Sequence, residues 1–129
     1  GFTQCPDVCP TTLNDLAQVK KRLGKDGERL QVIFITVDPE RDSQAVLERY
    51  VPAFDPSFVA LYGSAEQTAA TAKEFKVFYQ KAAGKTPTSY SIDHTAGTYV
   101  IDREGRARLF VKHGEGVEPL VADLKRLLS

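Results

Sequence analysis

The sequence predicts an α/β fold with parallel strands early and an antiparallel pair late. Three observations carry that expectation. Residues 30–37 (LQVIFITV) are nearly all apolar and rich in β-branched side chains, the pattern of a strand covered on both faces. The stretches before and after it repeat apolar residues at helical spacing. Toward the C-terminal end, two strand-like runs, residues 98–101 and 107–112, flank the polar turn Asp102-Arg103-Glu104-Gly105.

Pro10 suits the first position of a helix, which makes Cys9 the predicted N-cap. Leu13, Leu16, Val19 and Leu23 then mark one face, and Gly24 closes the segment. The strand over residues 30–37 ends at Asp38-Pro39 and the polar turn ERD. Ser43 caps a second helix carrying Val46, Leu47 and Tyr50, which stops near Pro52. Residues 58–62 (FVALY) form a short strand ending at Gly63. Ser64 and Gln67 have capping-box spacing for a third helix reaching about Phe75. Residues 77–82 read as another strand, and the breaker-rich residues 83–89 (AGKTPTS) as an exposed loop. Val117, Leu120, Val121, Leu124 and Leu128 outline an amphipathic last helix. No repeat, linker or low-complexity tract interrupts residues 1–129, so a single domain is expected.

This order matches a thioredoxin-like three-layer fold with one departure. In that fold a central strand runs directly into the cysteine turn, and here only Gly1-Phe2-Thr3-Gln4 precede it. The strands at 30–37 and 98–101 would both bond to that central strand, and unpaired buried amides are too costly to leave. The expectation is an N-terminally trimmed piece of a longer protein, lacking N-terminal strands that include an apolar one ending at Phe2. The lack of any methionine agrees with a start other than the initiator.

Composition narrows the function classes. With 129 residues and 42% hydrophobic content, the chain is long enough for one domain with its own core. Seventeen basic residues balance seventeen acidic ones, and no basic stripe runs along the chain, so nucleic acid is not an expected partner. The longest apolar run, around residues 32–37, is far too short to cross a bilayer. Two cysteines make no disulfide framework.

Those two cysteines, Cys5 and Cys9, are the most informative feature. They lie in GFTQCPDVCPTTL, at the mouth of the first helix. A helix N-terminus presents unpaired N–H groups and partial positive charge, which lowers thiol pKa and favours thiolate. Pro6 stiffens the loop and Asp7 keeps it hydrated. The C-x-x-x-C spacing suits either closure as a disulfide or shared ligation of one metal ion. His94, in Tyr90-Ser91-Ile92-Asp93-His94-Thr95, is placed by the fold near the sheet edge that carries the cysteine turn. Two thiolates and an imidazole make a soft three-ligand set, suited to copper(I) or zinc. His113 as a fourth ligand would indicate structural zinc, but a closed site would not need cysteines on an exposed, stiffened loop. Three ligands and an open face suit a metal that is handed on. Asp38 is expected to be a turn residue before Pro39, with support of the site residues from behind, or partner docking, as the minor alternatives. Asp93 is placed to hold His94 in one tautomer, and Tyr90 to pack.

Three segments together, GFTQCPDVCPTTL, ITVDPERD and YSIDHTAGTYVIDREGR, resemble the Sco family, also called SenC or PrrC. The resemblance covers essentially the whole chain. It implies a thioredoxin-like copper-binding protein that helps assemble the dinuclear copper A centre of cytochrome c oxidase. By that resemblance Cys5, Cys9 and His94 take the places of the copper ligands, for copper(I) and also copper(II). The partner implied is the copper A subunit or another copper-site apoprotein. An N-terminal membrane anchor is implied too, facing the bacterial periplasm or the mitochondrial intermembrane space. Some relatives act mainly as thiol–disulfide reductants, so a thiol–disulfide oxidoreductase, with Cys5 and Cys9 as catalytic thiols, is the alternative. A peroxidase fits less well: Thr3 is present, but the paired cysteines and remote histidine do not suit peroxide reduction.

Overall fold

Helix α1 (Val8–Arg22) buries Cys9, Leu13 and Val19 along one side, and its last turn carries Lys20, Lys21 and Arg22 where the helix dipole favours cations. In this computed structural model, which describes residues 1–5, 8–84, 86 and 89–128, α1 begins at Val8. Cys9 is therefore inside the first turn rather than capping it. Pro6 and Asp7, and Lys85, Pro87 and Thr88 of the expected 83–89 loop, lie outside the described residues. Gly24 takes a positive φ of 61°, which ends α1 and opens a 3₁₀ turn, Gly24–Arg29.

Strand β1 (Ile33–Ile35) is shorter than the eight-residue run suggested and pairs in parallel with β2 (Val59–Leu61), Phe34 opposite Ala60. Bonds from Val59 N–H to the Val32 carbonyl (3.0 Å) and from Thr36 N–H to the Leu61 carbonyl (3.1 Å) extend the ladder at both ends. The crossover between them holds α2 (Gln44–Tyr50), capped by the Ser43 side chain on Val46 N–H. Helix α3 (Ala65–Glu74) starts with the capping box read from the sequence: Ser64 and Gln67 bond reciprocally at 3.1 and 2.9 Å.

Strands β3 (Tyr79–Ala82) and β4 (Ser91–His94) form an antiparallel hairpin, with Tyr79 opposite His94. The sequence predicts no strand between residues 90 and 95; pairing with β3 makes four of them, Ser91–His94, one. Strands β5 (Gly97–Ile101) and β6 (Ala107–Lys112) form the expected antiparallel pair. Their turn is set by Asp102, whose side chain accepts from the Glu104 and Arg106 amides at 3.0 and 2.9 Å. Helix α4 (Val117–Leu128) completes the order.

Among the described residues the strands make three separate pairs, and β1 and β5 do not meet. Gly1 supplies one rung on the edge of β1 opposite β2. Its amine donates to the Ile35 carbonyl (3.2 Å), and its carbonyl accepts from Val37 N–H (2.8 Å), the two bonds of a parallel bridge. The strand expected to end at Phe2 would take this same edge. The expectation that β1 is covered on both faces holds for one: Phe34 is buried, while Ile33, Val59 and Leu61 on the other face stay exposed.

Two apolar clusters hold these pieces together. One joins the front of α1 to β1, α2, Phe58 and Ile92, with Phe2, Cys5 and Cys9 inside it. The other packs Val19 and Leu23 against Leu120, Val121 and Leu124 of α4. Leu124 is 4% exposed, so Leu124→Ala is expected to cost ~2–5 kcal/mol, read as a lower urea midpoint with unchanged slope.

Candidate metal centre

The turn Phe2–Cys5, which leads into the cysteine pair, is braced from below. Cys5 N–H donates to the Phe2 carbonyl (3.2 Å). Thr3 donates twice to Asp42, from its N–H (3.0 Å) and its hydroxyl (2.5 Å). Asp42, fully buried, also accepts the Thr36 hydroxyl at 2.5 Å, so one carboxylate ties the loop to the end of β1. Phe2 anchors the loop in the core.

Cys9 N–H, in the first turn of α1, donates to Cys5 Sγ at 3.4 Å, so a helix N-terminal amide does face a sulfur. Both cysteines are free thiols and buried. His94 closes the group from the end of β4: its Nε2 lies 3.4 Å from Cys9 Sγ and 3.9 Å from Cys5 Sγ. Its Nδ1 is 3.0 Å from the Thr95 carbonyl, an acceptor only, so Nδ1 carries the proton and Nε2 offers its lone pair to the sulfurs. The Phe2 ring meets the imidazole edge-on, centroids 5.6 Å apart.

The three candidate ligand atoms lie within 4.8 Å of one another. Three donors placed ~2.3 Å from one metal in a plane stand ~4 Å apart. The observed spacing places all three donors within reach of a single soft ion.

Burial changes the thiol chemistry that the helix terminus alone suggested. It pushes the Cys9 thiol up to about 12, and a hydrogen bond with Cys5 adds to the rise. Burial also holds the His94 imidazole below its ordinary value, which favours the neutral form that can ligate. Tyr50 belongs to the same environment. Its hydroxyl is buried without a hydrogen-bond partner among the described residues, and burial plus both neighbouring cysteines push it up to about 12. Nothing in its i, i+4 helical position marks it; only the folded packing against the cysteine-bearing cluster does.

Other expected residues fall differently. His113 stays away from the group, exposed, with its Nδ1 3.3 Å from the Thr12 hydroxyl. Asp93 is exposed, and the Thr95 carbonyl does the orienting work that the sequence assigned to it. Asp38 opens the turn as expected, its carbonyl accepting from Arg41 N–H (3.2 Å), and it is also buried, paired with Arg41 Nε (2.5 Å) and accepting the Tyr90 hydroxyl (2.6 Å). Tyr90 therefore does more than pack. Arg41, which the sequence showed only as part of a polar turn, lies with its Cζ 3.7 Å from the Tyr90 ring centroid.

Fold and site together define a thioredoxin-like domain whose paired thiols at a helix mouth share their pocket with an imidazole. The chain belongs to the SCO1/SenC family, whose sequence model matches residues 1–129. The structure of Bradyrhizobium japonicum ScoI with copper bound aligns with a TM-score of 0.89 at 39% identity, over 98% of this chain and 80% of that one. Apo Sco1 from Thermus thermophilus aligns with a TM-score of 0.87 at 49% identity, over 98% and 75%. The mitochondrial SCO2 homolog of Mus musculus is 35% identical over 131 residues, which is 100% of this chain and 51% of the relative. The chain spans about half the length of the curated relatives it matches.

Proposed function

We propose that this chain carries copper(I) between the thiolates of Cys5 and Cys9 and Nε2 of His94, and delivers it to the copper A centre of cytochrome c oxidase. The observation that supports this most directly is the sulfur–sulfur–imidazole group within 4.8 Å, with the imidazole proton held on the far nitrogen. Soft thiolates select copper(I), and an imidazole suits it as the third donor. The copper-bound ScoI relative supports the choice of copper over zinc. Binding displaces the thiol protons, so the buried Cys9 sulfur becomes anionic when the metal compensates its charge. The acceptor in this reading is a reduced copper-site apoprotein whose own cysteines replace the ligands in turn. The proposed setting is the periplasmic face of the bacterial inner membrane, with an anchor ahead of Gly1. The mitochondrial intermembrane space is the alternative, supported by the name of the Mus musculus relative. No helix among the described residues is long and apolar enough to cross a membrane.

The proximity of two free thiols also suits thiol–disulfide exchange, in which one sulfur attacks and the other resolves. Burial raises the Cys9 thiol and leaves little thiolate there at neutral pH, which makes it a poor attacking group in the metal-free form. Metal carriage makes use of all three side chains and is the better-supported reading. Anaerobic titration of the reduced protein with copper(I) is expected to saturate at one ion per chain, with two sulfur and one nitrogen neighbours by X-ray absorption. A shell of sulfur alone would exclude His94 as a ligand.

A further inference from the structure

We infer that Arg41 is a positioning residue for this site: its guanidinium clasps the His94 strand to the cysteine loop and so sets whether the metal meets an imidazole or sulfur alone. The ligands come from two segments far apart in sequence, and one side chain donates to both. Arg41 Nη1 lies 2.7 Å from the carbonyl of Tyr90, the residue just before β4, and 3.2 Å from Oε1 of Gln4, the residue just before Cys5. Its Nε is fixed by Asp38 at 2.5 Å in a pair where the arginine side chain is 10% exposed and the aspartate 1%. The guanidinium plane also covers the Tyr90 ring, and its Cζ is 5.9 Å from the Phe2 ring that abuts His94.

Among the described residues the Tyr90 hydroxyl, just before β4, also reaches the DPER segment, bonding Asp38, the arginine's own anchor, at 2.6 Å and Glu40 at 3.4 Å, and a further tie from β3 is weaker. Lys81 pairs with Glu40 at 3.0 Å, but both side chains are more than half exposed, where ion pairs contribute little. Arg41 is shielded, charge-assisted and geometrically fixed on several sides. A planar fork with donors in several directions is what arginine supplies and lysine does not. A shift of the hairpin by about an ångström would move Nε2 out of the sulfur group while leaving Cys5 and Cys9 held by Asp42, Phe2 and α1.

The positional part of this inference concerns the metal-free protein; only its consequence for copper rests on the function proposed above. The test uses Arg41→Lys, which keeps the charge and loses the fork. In the reduced, metal-free parent, proton NMR is expected to show nuclear Overhauser contacts from the His94 ring to Phe2 and to Cys9. In Arg41→Lys these contacts are expected to fall by more than half. After copper(I) loading, the nitrogen neighbour seen in the parent is expected to be lost while both sulfurs remain. A lower melting temperature with contacts and nitrogen intact would mean a merely structural arginine and overturn the inference. Should Arg41→Lys fail to fold, Tyr90→Leu removes the stacked ring and the phenol bond to Asp38 while leaving the carbonyl acceptor. It is expected to weaken the same contacts, and full retention there also overturns the clasp. If the loaded parent shows no nitrogen, the three-ligand reading fails, while the metal-free contacts still decide the role of Arg41.

Discussion

Serine at position 5 or 9 is expected to abolish tight copper(I) retention, and alanine at 94 to weaken it by at least ~10–100-fold, because changes to outer hydrogen-bonding partners alone reach that size. The ordering follows from the donor atoms. Copper(I) is held chiefly by soft thiolates, and a serine hydroxyl is both hard and neutral at working pH. Loss of one sulfur therefore leaves a sulfur–nitrogen pair without enough charge to hold the ion. Loss of the imidazole leaves two thiolates, still a usable pair. Competition with a chromophoric copper(I) chelator under anaerobic conditions measures all three. Cys5 and Cys9 lie in the core cluster, so a serine hydroxyl there is expected to lower the melting temperature of the metal-free protein, and copper retention is compared at a temperature where each variant is folded. Retention in His94→Ala equal to the parent would remove the imidazole from the site, despite its 3.4 Å approach to Cys9 Sγ.

The grouping of Cys5, Cys9 and His94 was legible in the sequence because its chemistry is carried by residue type: the two cysteines are the only ones present, and one of two histidines stands just before the strand at residues 98–101. The helices were legible for local reasons. Ser43 and Ser64 act within three residues of themselves, and their caps form as spaced. The parts that were not legible depend on distant partners. Asp38, Arg41 and Asp42 lie in a segment, DPERD, that reads as a solvated turn until Thr3, Thr36 and Tyr90 arrive to bond it. Strand β4 was missed because only Ile92 of its four residues is buried, so no alternation announces it. The acidity of Cys9 was misjudged from the helix terminus alone, since burial opposes that field and outweighs it here. The strand at residues 30–37 showed where the sheet begins but not how far it pairs: bonding to β2 spans only the middle of the run, and Gly1 meets its far end.

Among the residues that were not legible, Asp42 carries the second large expected effect. Asp42→Ala strands three donors at once: the Thr3 amide, the Thr3 hydroxyl and the Thr36 hydroxyl, all directed at a site with no solvent access. A buried polar group left without its partner costs ~1–3 kcal/mol, and a hydroxyl can turn away where an amide cannot, so a loss of ~3 kcal/mol or more is expected from urea unfolding. Asp42→Asn discriminates between charge and hydrogen bonding as the cause. The amide oxygen can take the place of Oδ2, which accepts both the Thr3 amide and the Thr36 hydroxyl, and its NH2 can donate to the Thr3 oxygen. Stability in Asp42→Asn is therefore expected to stay within about 1 kcal/mol of the parent. Thr3 is two residues from Cys5, so the alanine variant is also expected to loosen the sulfur pair and speed thiol alkylation, while the asparagine variant alkylates at the parental rate. Equal destabilisation by both substitutions would show that the carboxylate's charge, rather than its acceptor geometry, braces the loop.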